Sequence, residues 1–97
     1  MSLLVVGLSH RTAPVPVLER VTVAEPNLPK VLGQLLAAPS VSEAMVLSTC
    51  NRVEVYAVVE SFHGGMSEVV DVLAQHAQIE PQSLYEHFYV HYAAAAV

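Results

Sequence analysis

The stretch Glu43-Ala44-Met45-Val46-Leu47-Ser48-Thr49-Cys50-Asn51-Arg52-Val53-Glu54-Val55-Tyr56-Ala57-Val58-Val59-Glu60 decides the fold. Two runs of strand-forming residues, 43–49 and 53–60, are separated only by Cys50, Asn51 and Arg52. So short a gap implies an antiparallel hairpin. In the second run Val53, Val55, Ala57 and Val59 alternate with Glu54, Tyr56, Val58 and Glu60. A period of two assigns the first set to a core face and the second, more polar set to the opposite face.

Upstream of the hairpin, Leu28, Val31, Leu32, Leu35 and Leu36 fall on one stripe of an α-helix, with Asn27 as its expected N-cap and Pro39 marking its end. Leu3-Leu4-Val5-Val6-Gly7-Leu8 is continuously apolar and reads as a central strand buried on both faces. Pro14 and Pro16 forbid regular pairing, so 11–17 reads as a loop, followed by a brief turn of helix over Val17 to Val21. Downstream, Gly64 and Gly65 read as a chain break, after which Met66, Val69, Val70, Leu73 and Ala77 repeat at helical spacing. Pro81 starts a short turn, His87 to Tyr92 reads as a last strand, and the Ala93 to Ala96 run carries no assignable pattern. The order strand, helix, strand, strand, helix, strand predicts an α+β, ferredoxin-like split βαβ sandwich: a four-stranded antiparallel sheet with two helices on one face. That fold hosts too many activities to name one.

Composition narrows the classes. Ninety-seven residues allow one core, so the chain is one domain or a piece of something larger. Four Lys plus Arg against nine Asp plus Glu give a net charge of −5, which disfavours a broad basic platform for nucleic acid; any grip on phosphate has to be local. Apolar residues make up 54% and charged ones 13%, with a mean hydropathy of +0.48, which excludes intrinsic disorder and implies that part of the surface is normally covered. No apolar run approaches the roughly 20 residues that span a bilayer, and no secretory signal pattern is present, so no membrane association and a cytoplasmic location are expected. The single cysteine, Cys50, cannot form an internal disulfide or a multi-cysteine zinc site. It is either a small buried hydrophobe or a reactive thiol.

A hairpin tip holds side chains toward solvent or a cleft while both strands keep it rigid. A thiol there is accessible, and the neighbouring Arg52 guanidinium favours the nucleophilic thiolate and can grip a carboxylate with two parallel hydrogen bonds. His10, just past the first strand, can be carried toward the same tip, where it would orient or deprotonate a bound group. His87 and His91 share one face of a strand, but without a His-Glu-x-x-His pattern no metal site is expected, and His63 and His76 read as surface residues. The chain has no glycine-rich phosphate loop, so no cofactor is expected to bind within it.

Three motifs go further. Gly7-Leu8-Ser9-His10-Arg11-Thr12-Ala13-Pro14-Val15, then Val46-Leu47-Ser48-Thr49-Cys50-Asn51-Arg52-Val53-Glu54-Val55-Tyr56, then Tyr89-Val90-His91 resemble, in order and over nearly the whole chain, the N-terminal catalytic domain of glutamyl-tRNA reductase. The resemblance implies an oxidoreductase that converts glutamyl-tRNA to glutamate-1-semialdehyde with NADPH, at the start of the five-carbon route to haem and other tetrapyrroles. Carried over by position, Cys50 is the nucleophile that takes the glutamyl group as a thioester. Thr49, Asn51 and Arg52 are substrate-binding, and His10 and Glu54 match characteristic positions of less defined role. Residues 1–97 then form a single catalytic domain, while the family's NADPH-binding and dimerisation domains, and a further catalytic histidine, follow beyond Val97. NADPH and a homodimer are therefore expected of the full enzyme, and no cofactor of this fragment. The alternative from a different class is a non-catalytic ferredoxin-like module that binds a protein or small ligand.

Overall fold

A computed structural model describes residues 1–94. The elements run β1 (Ser2–Ser9), α1 (Val15–Val21), a 3-10 turn (Glu25–Asn27), α2 (Leu28–Ala37), β2 (Val41–Ser48), β3 (Arg52–Val59), α3 (Phe62–Ala77), α4 (Pro81–Tyr85) and β4 (Tyr89–Ala94). The four strands form one antiparallel sheet in the order β2-β3-β1-β4, the split βαβ arrangement that the sequence order implies. Alternation along the strands sorts the side chains. Leu4, Val6 and Leu8 of β1 and Val53, Val55, Ala57 and Val59 of β3 point to one face, where Val31 and Leu35 of α2 and Val69, Val70 and Leu73 of α3 complete the core.

The other face carries no helix among the described residues. Val5 and Gly7 are still buried there, because their partners across the sheet are Tyr56 and His91 for Val5 and Glu54 and Tyr89 for Gly7. The expectation of a first strand covered on both faces therefore holds only toward its C-terminal end. Leu3 is 43% exposed and Met45 of β2 57% exposed on the same uncovered side.

Three local expectations are corrected. Asn27 occupies the N-cap position of α2, but its side chain makes no capping hydrogen bond, since the 3-10 turn already feeds the helix. The loop expected over 11–17 stops at Pro14, because Pro16 is tolerated in the first turn of α1, which starts at Val15, and the turn at Pro81 is a short helix, α4. Gly64 and Gly65 do not break the chain: α3 starts at Phe62, capped by Ser61, whose Oγ accepts from the Gly64 N–H at 3.3 Å. The pair of glycines misleads because one of them is there for packing. A Cβ on Gly65 would lie 2.5 Å from Val59 Cγ1 and 2.7 Å from Val59 Cβ.

That contrast yields a stability prediction. Gly33 sits on the exposed side of α2 with nothing within 4 Å of an added Cβ, so Gly33→Ala is expected to stabilise by about 0.5–1 kcal/mol through helix propensity alone. Gly65→Ala gains the same propensity, but no rotamer change moves a Cβ, and overpacking costs about 1–3 kcal/mol. The clash wins, so this variant is expected to lower the denaturation midpoint while Gly33→Ala raises it, as urea unfolding would show.

Candidate active site

The tip joining β2 to β3 is a closed loop. Thr49 N–H donates to Arg52 O at 2.8 Å, and Thr49 Oγ1 accepts from the N–H groups of Asn51 and Arg52, both at 3.2 Å. The Thr49 hydroxyl proton faces Arg52 O at 3.4 Å, so this side chain is spent on shaping the loop. The tip is tied to the end of β1 by the His10 N–H, which donates to Asn51 O at 3.0 Å. Ser9 O accepts from the Thr12 and Ala13 N–H groups, which closes a turn directly after β1.

Cys50 is free and exposed at this tip. A cleft of ≈ 660 Å³ opens beside it, and His10, Thr49, Cys50, Asn51, Arg52 and Glu54 all line it. The structure thus brings together every residue that the sequence singled out for the site. Two of the chain's four Lys and Arg residues, Arg11 and Arg52, lie here, so a protein of net charge −5 has a locally cationic cleft. Of the other two cations, Arg20 is committed elsewhere: it donates to the Ala77 and Gln78 carbonyls at the end of α3.

Glu54 is the buried charge of the site, only 7% exposed. Tyr89 OH donates to its Oε2 at 2.7 Å, Tyr56 OH donates to its Oε1 at 2.9 Å, and Arg52 Nε stands 3.8 Å from Oε1. The Tyr89 hydrogen bond, opposed by burial and helped by Tyr56 and the Arg52 charge, holds this carboxyl below its ordinary pKa of 4.5, so it is ionised at neutral pH. Desolvation, added to the hydrogen bond and charge of the same carboxylate, pushes the Tyr89 phenol well above the usual tyrosine value, and the hydrogen bond to Glu54 raises Tyr56 as well. Both phenols are therefore donors throughout the physiological range.

Alternation along the second strand of the hairpin puts Tyr56 on the face of Glu54, but nothing in the local pattern of Tyr89 marks it as a partner of that carboxylate. The signal that could have found Tyr89 is Gly7, since a glycine inside a central strand marks a place where another group approaches the backbone. The histidines also differ from expectation. His87 precedes β4 instead of sharing a strand face with His91, and its Nδ1 lies 3.3 Å from Thr12 O. His76 is half-buried, with Nε2 3.0 Å from Thr22 O. Among the described residues no three His, Cys, Asp or Glu side chains are placed to hold a metal ion. The turn from β1 to α1, residues 10–14, contains no glycine. No helix among the described residues is long and apolar enough to cross a membrane.

A ferredoxin-like sandwich thus brings an exposed thiol, a guanidinium and a buried carboxylate together around one cleft. Residues 6–97 match the family described as the glutamyl-tRNA(Glu) reductase N-terminal domain, and the chain belongs to that family. It is 59% identical over all 97 residues to a glutamyl-tRNA reductase of Salinispora tropica and 57% identical to one of Salinispora arenicola. In both comparisons the whole chain aligns but spans only 21% of the relative's length.

Proposed function

We propose that residues 1–97 form the thiol-bearing, substrate-binding catalytic domain of a glutamyl-tRNA reductase. The observation that carries this reading is the placing of Cys50 and Arg52 two residues apart on one hairpin tip, facing a common cleft. The thiolate Sγ attacks the ester carbonyl carbon of glutamyl-tRNA; the C–S bond forms, the C–O bond to the terminal ribose breaks, and the ribose oxygen leaves as a hydroxyl with the proton the thiol gave up. Arg52 holds the free carboxylate of the glutamyl group, Asn51 and the loop fixed by Thr49 shape the cleft wall, and the His10 ring at the rim is placed to shuttle the proton. Glu54 acts as the fixed counter-charge behind Arg52.

Reduction by NADPH and dimerisation belong to the remaining length of the longer relatives, and the partner of this domain is the rest of that reductase. In that setting the domain serves tetrapyrrole synthesis.

The test is direct. Incubated with charged glutamyl-tRNA, the protein is expected to gain the mass of one glutamyl group, sensitive to hydroxylamine as a thioester should be. Absence of any adduct would instead favour a ferredoxin-like binding module that does no covalent chemistry.

A further inference from the structure

Glu54, Gly7 and Tyr89 lie side by side on three adjacent strands, because Gly7 pairs with Glu54 of β3 on one side and with Tyr89 of β4 on the other. An added Cβ at Gly7 would come 2.5 Å from Tyr89 Cζ and 2.7 Å from Tyr89 OH. The phenol therefore lies over the bare backbone of β1, spanning a strand to reach Glu54 Oε2 at 2.7 Å. Any other residue at position 7 would occupy that path. Tyr56 takes Oε1 from the opposite side at 2.9 Å, so the carboxylate is clamped at both oxygens, and Arg52 meets it through Nε at 3.8 Å, too far for a direct hydrogen bond.

Resting on the thioester reading above, we propose that Tyr89, passing over Gly7, is a positioning residue for recognition of the substrate carboxylate. By fixing Glu54 it fixes the counter-charge that orients the Arg52 guanidinium toward the cleft. Arg52 itself is half exposed, with 54% of its side chain accessible, and a long side chain with that freedom needs an anchored partner if its planar fork is to be preset for a ligand. Without the Tyr89 hydroxyl, Glu54 Oε2 loses its partner inside the protein, and the carboxylate is free to turn or to recruit water. Tyr89 does not touch the thiol or the reacting carbon in this scheme.

The experiment is single-turnover thioester formation from glutamyl-tRNA by the wild type, Tyr89→Phe and Gly7→Ala. Tyr89→Phe keeps the ring and removes only the hydroxyl. Gly7→Ala displaces the far end of a side chain that can swing aside, so it tests the same contact from the other strand. Both variants are expected to raise the half-saturating concentration of glutamyl-tRNA about tenfold, with the maximal rate held within about threefold. Alkylation of Cys50 by neutral iodoacetamide should be unchanged, showing that the thiol is intact, and a cooperative urea transition should show that the fold is. An unchanged half-saturating concentration in Tyr89→Phe would overturn the proposal, as would a loss confined to the maximal rate. A wild type that forms no adduct fails differently: it removes the thioester reading and this inference with it.

Discussion

Cys50→Ser is expected to abolish acyl transfer to the protein, lowering adduct formation from glutamyl-tRNA by roughly a thousandfold or more, while leaving stability almost unchanged. The asymmetry comes from where the sulfur sits. Cys50 is exposed at the tip, and the loop is closed by backbone groups and by the Thr49 hydroxyl, so exchanging sulfur for oxygen removes no packing and no tertiary hydrogen bond. Chemistry is another matter. A thiol ionises far more readily than an alcohol near neutrality and is intrinsically the stronger nucleophile, so a serine at the same place attacks the ester poorly. Intact-mass measurement after incubation with charged tRNA, alongside a urea titration, reads both halves. An equal adduct on the serine variant would move the nucleophile elsewhere.

Much of this arrangement was legible in the sequence, and the parts that were not share a cause. The hairpin could be read because a three-residue gap between two strand-forming runs, the second of them alternating, leaves the chain no other connection, and the helices because their apolar stripes keep a period of 3.6 over several turns. The start of α3 could not, because composition alone cannot tell a glycine that ends an element from one that lets a helix pack against Val59. The half-covered first strand misled for a related reason. Burial of Val5 and Gly7 comes from aromatic and polar side chains of neighbouring strands, not from a second layer of helices, and a continuous apolar run looks the same in either case.

The site divides along the same line. Cys50, Asn51 and Arg52 are adjacent in sequence and stay adjacent in space, so a local motif sufficed to group them. His10 could be grouped with them by its position just past the first strand and Glu54 through likeness to a family, and both line the cleft. Tyr89 is 35 residues from Glu54 along the chain. Its part in the site depends on strand order: only when β4 lies beside β1, and β1 beside β3, can a phenol on one reach a carboxylate on the other. Order in a sheet is a tertiary fact, and Gly7 was its one local trace.

Arg52→Lys carries the second large effect: thioester formation at limiting glutamyl-tRNA is expected to fall about ten- to a hundredfold, although the charge is kept. The backbone of residue 52 supplies the hydrogen bonds that close the loop, its N–H to Thr49 Oγ1 and its carbonyl from Thr49 N–H, so the tip and Cys50 should stay in place. What changes is the head group. An ammonium attracts a carboxylate as a point charge, but it cannot pair both oxygens in a plane, and a charged hydrogen bond is worth about 1.5–3 kcal/mol net. The attraction that survives is mostly Coulombic, in a cleft open to water, so the variant should also lose substrate affinity more steeply with added salt than the wild type does. Kinetics at two ionic strengths separate these contributions. A lysine variant with wild-type kinetics and salt response would mean that the carboxylate is held by the other guanidinium of the cleft, Arg11, and Arg11→Ala should then show the loss instead.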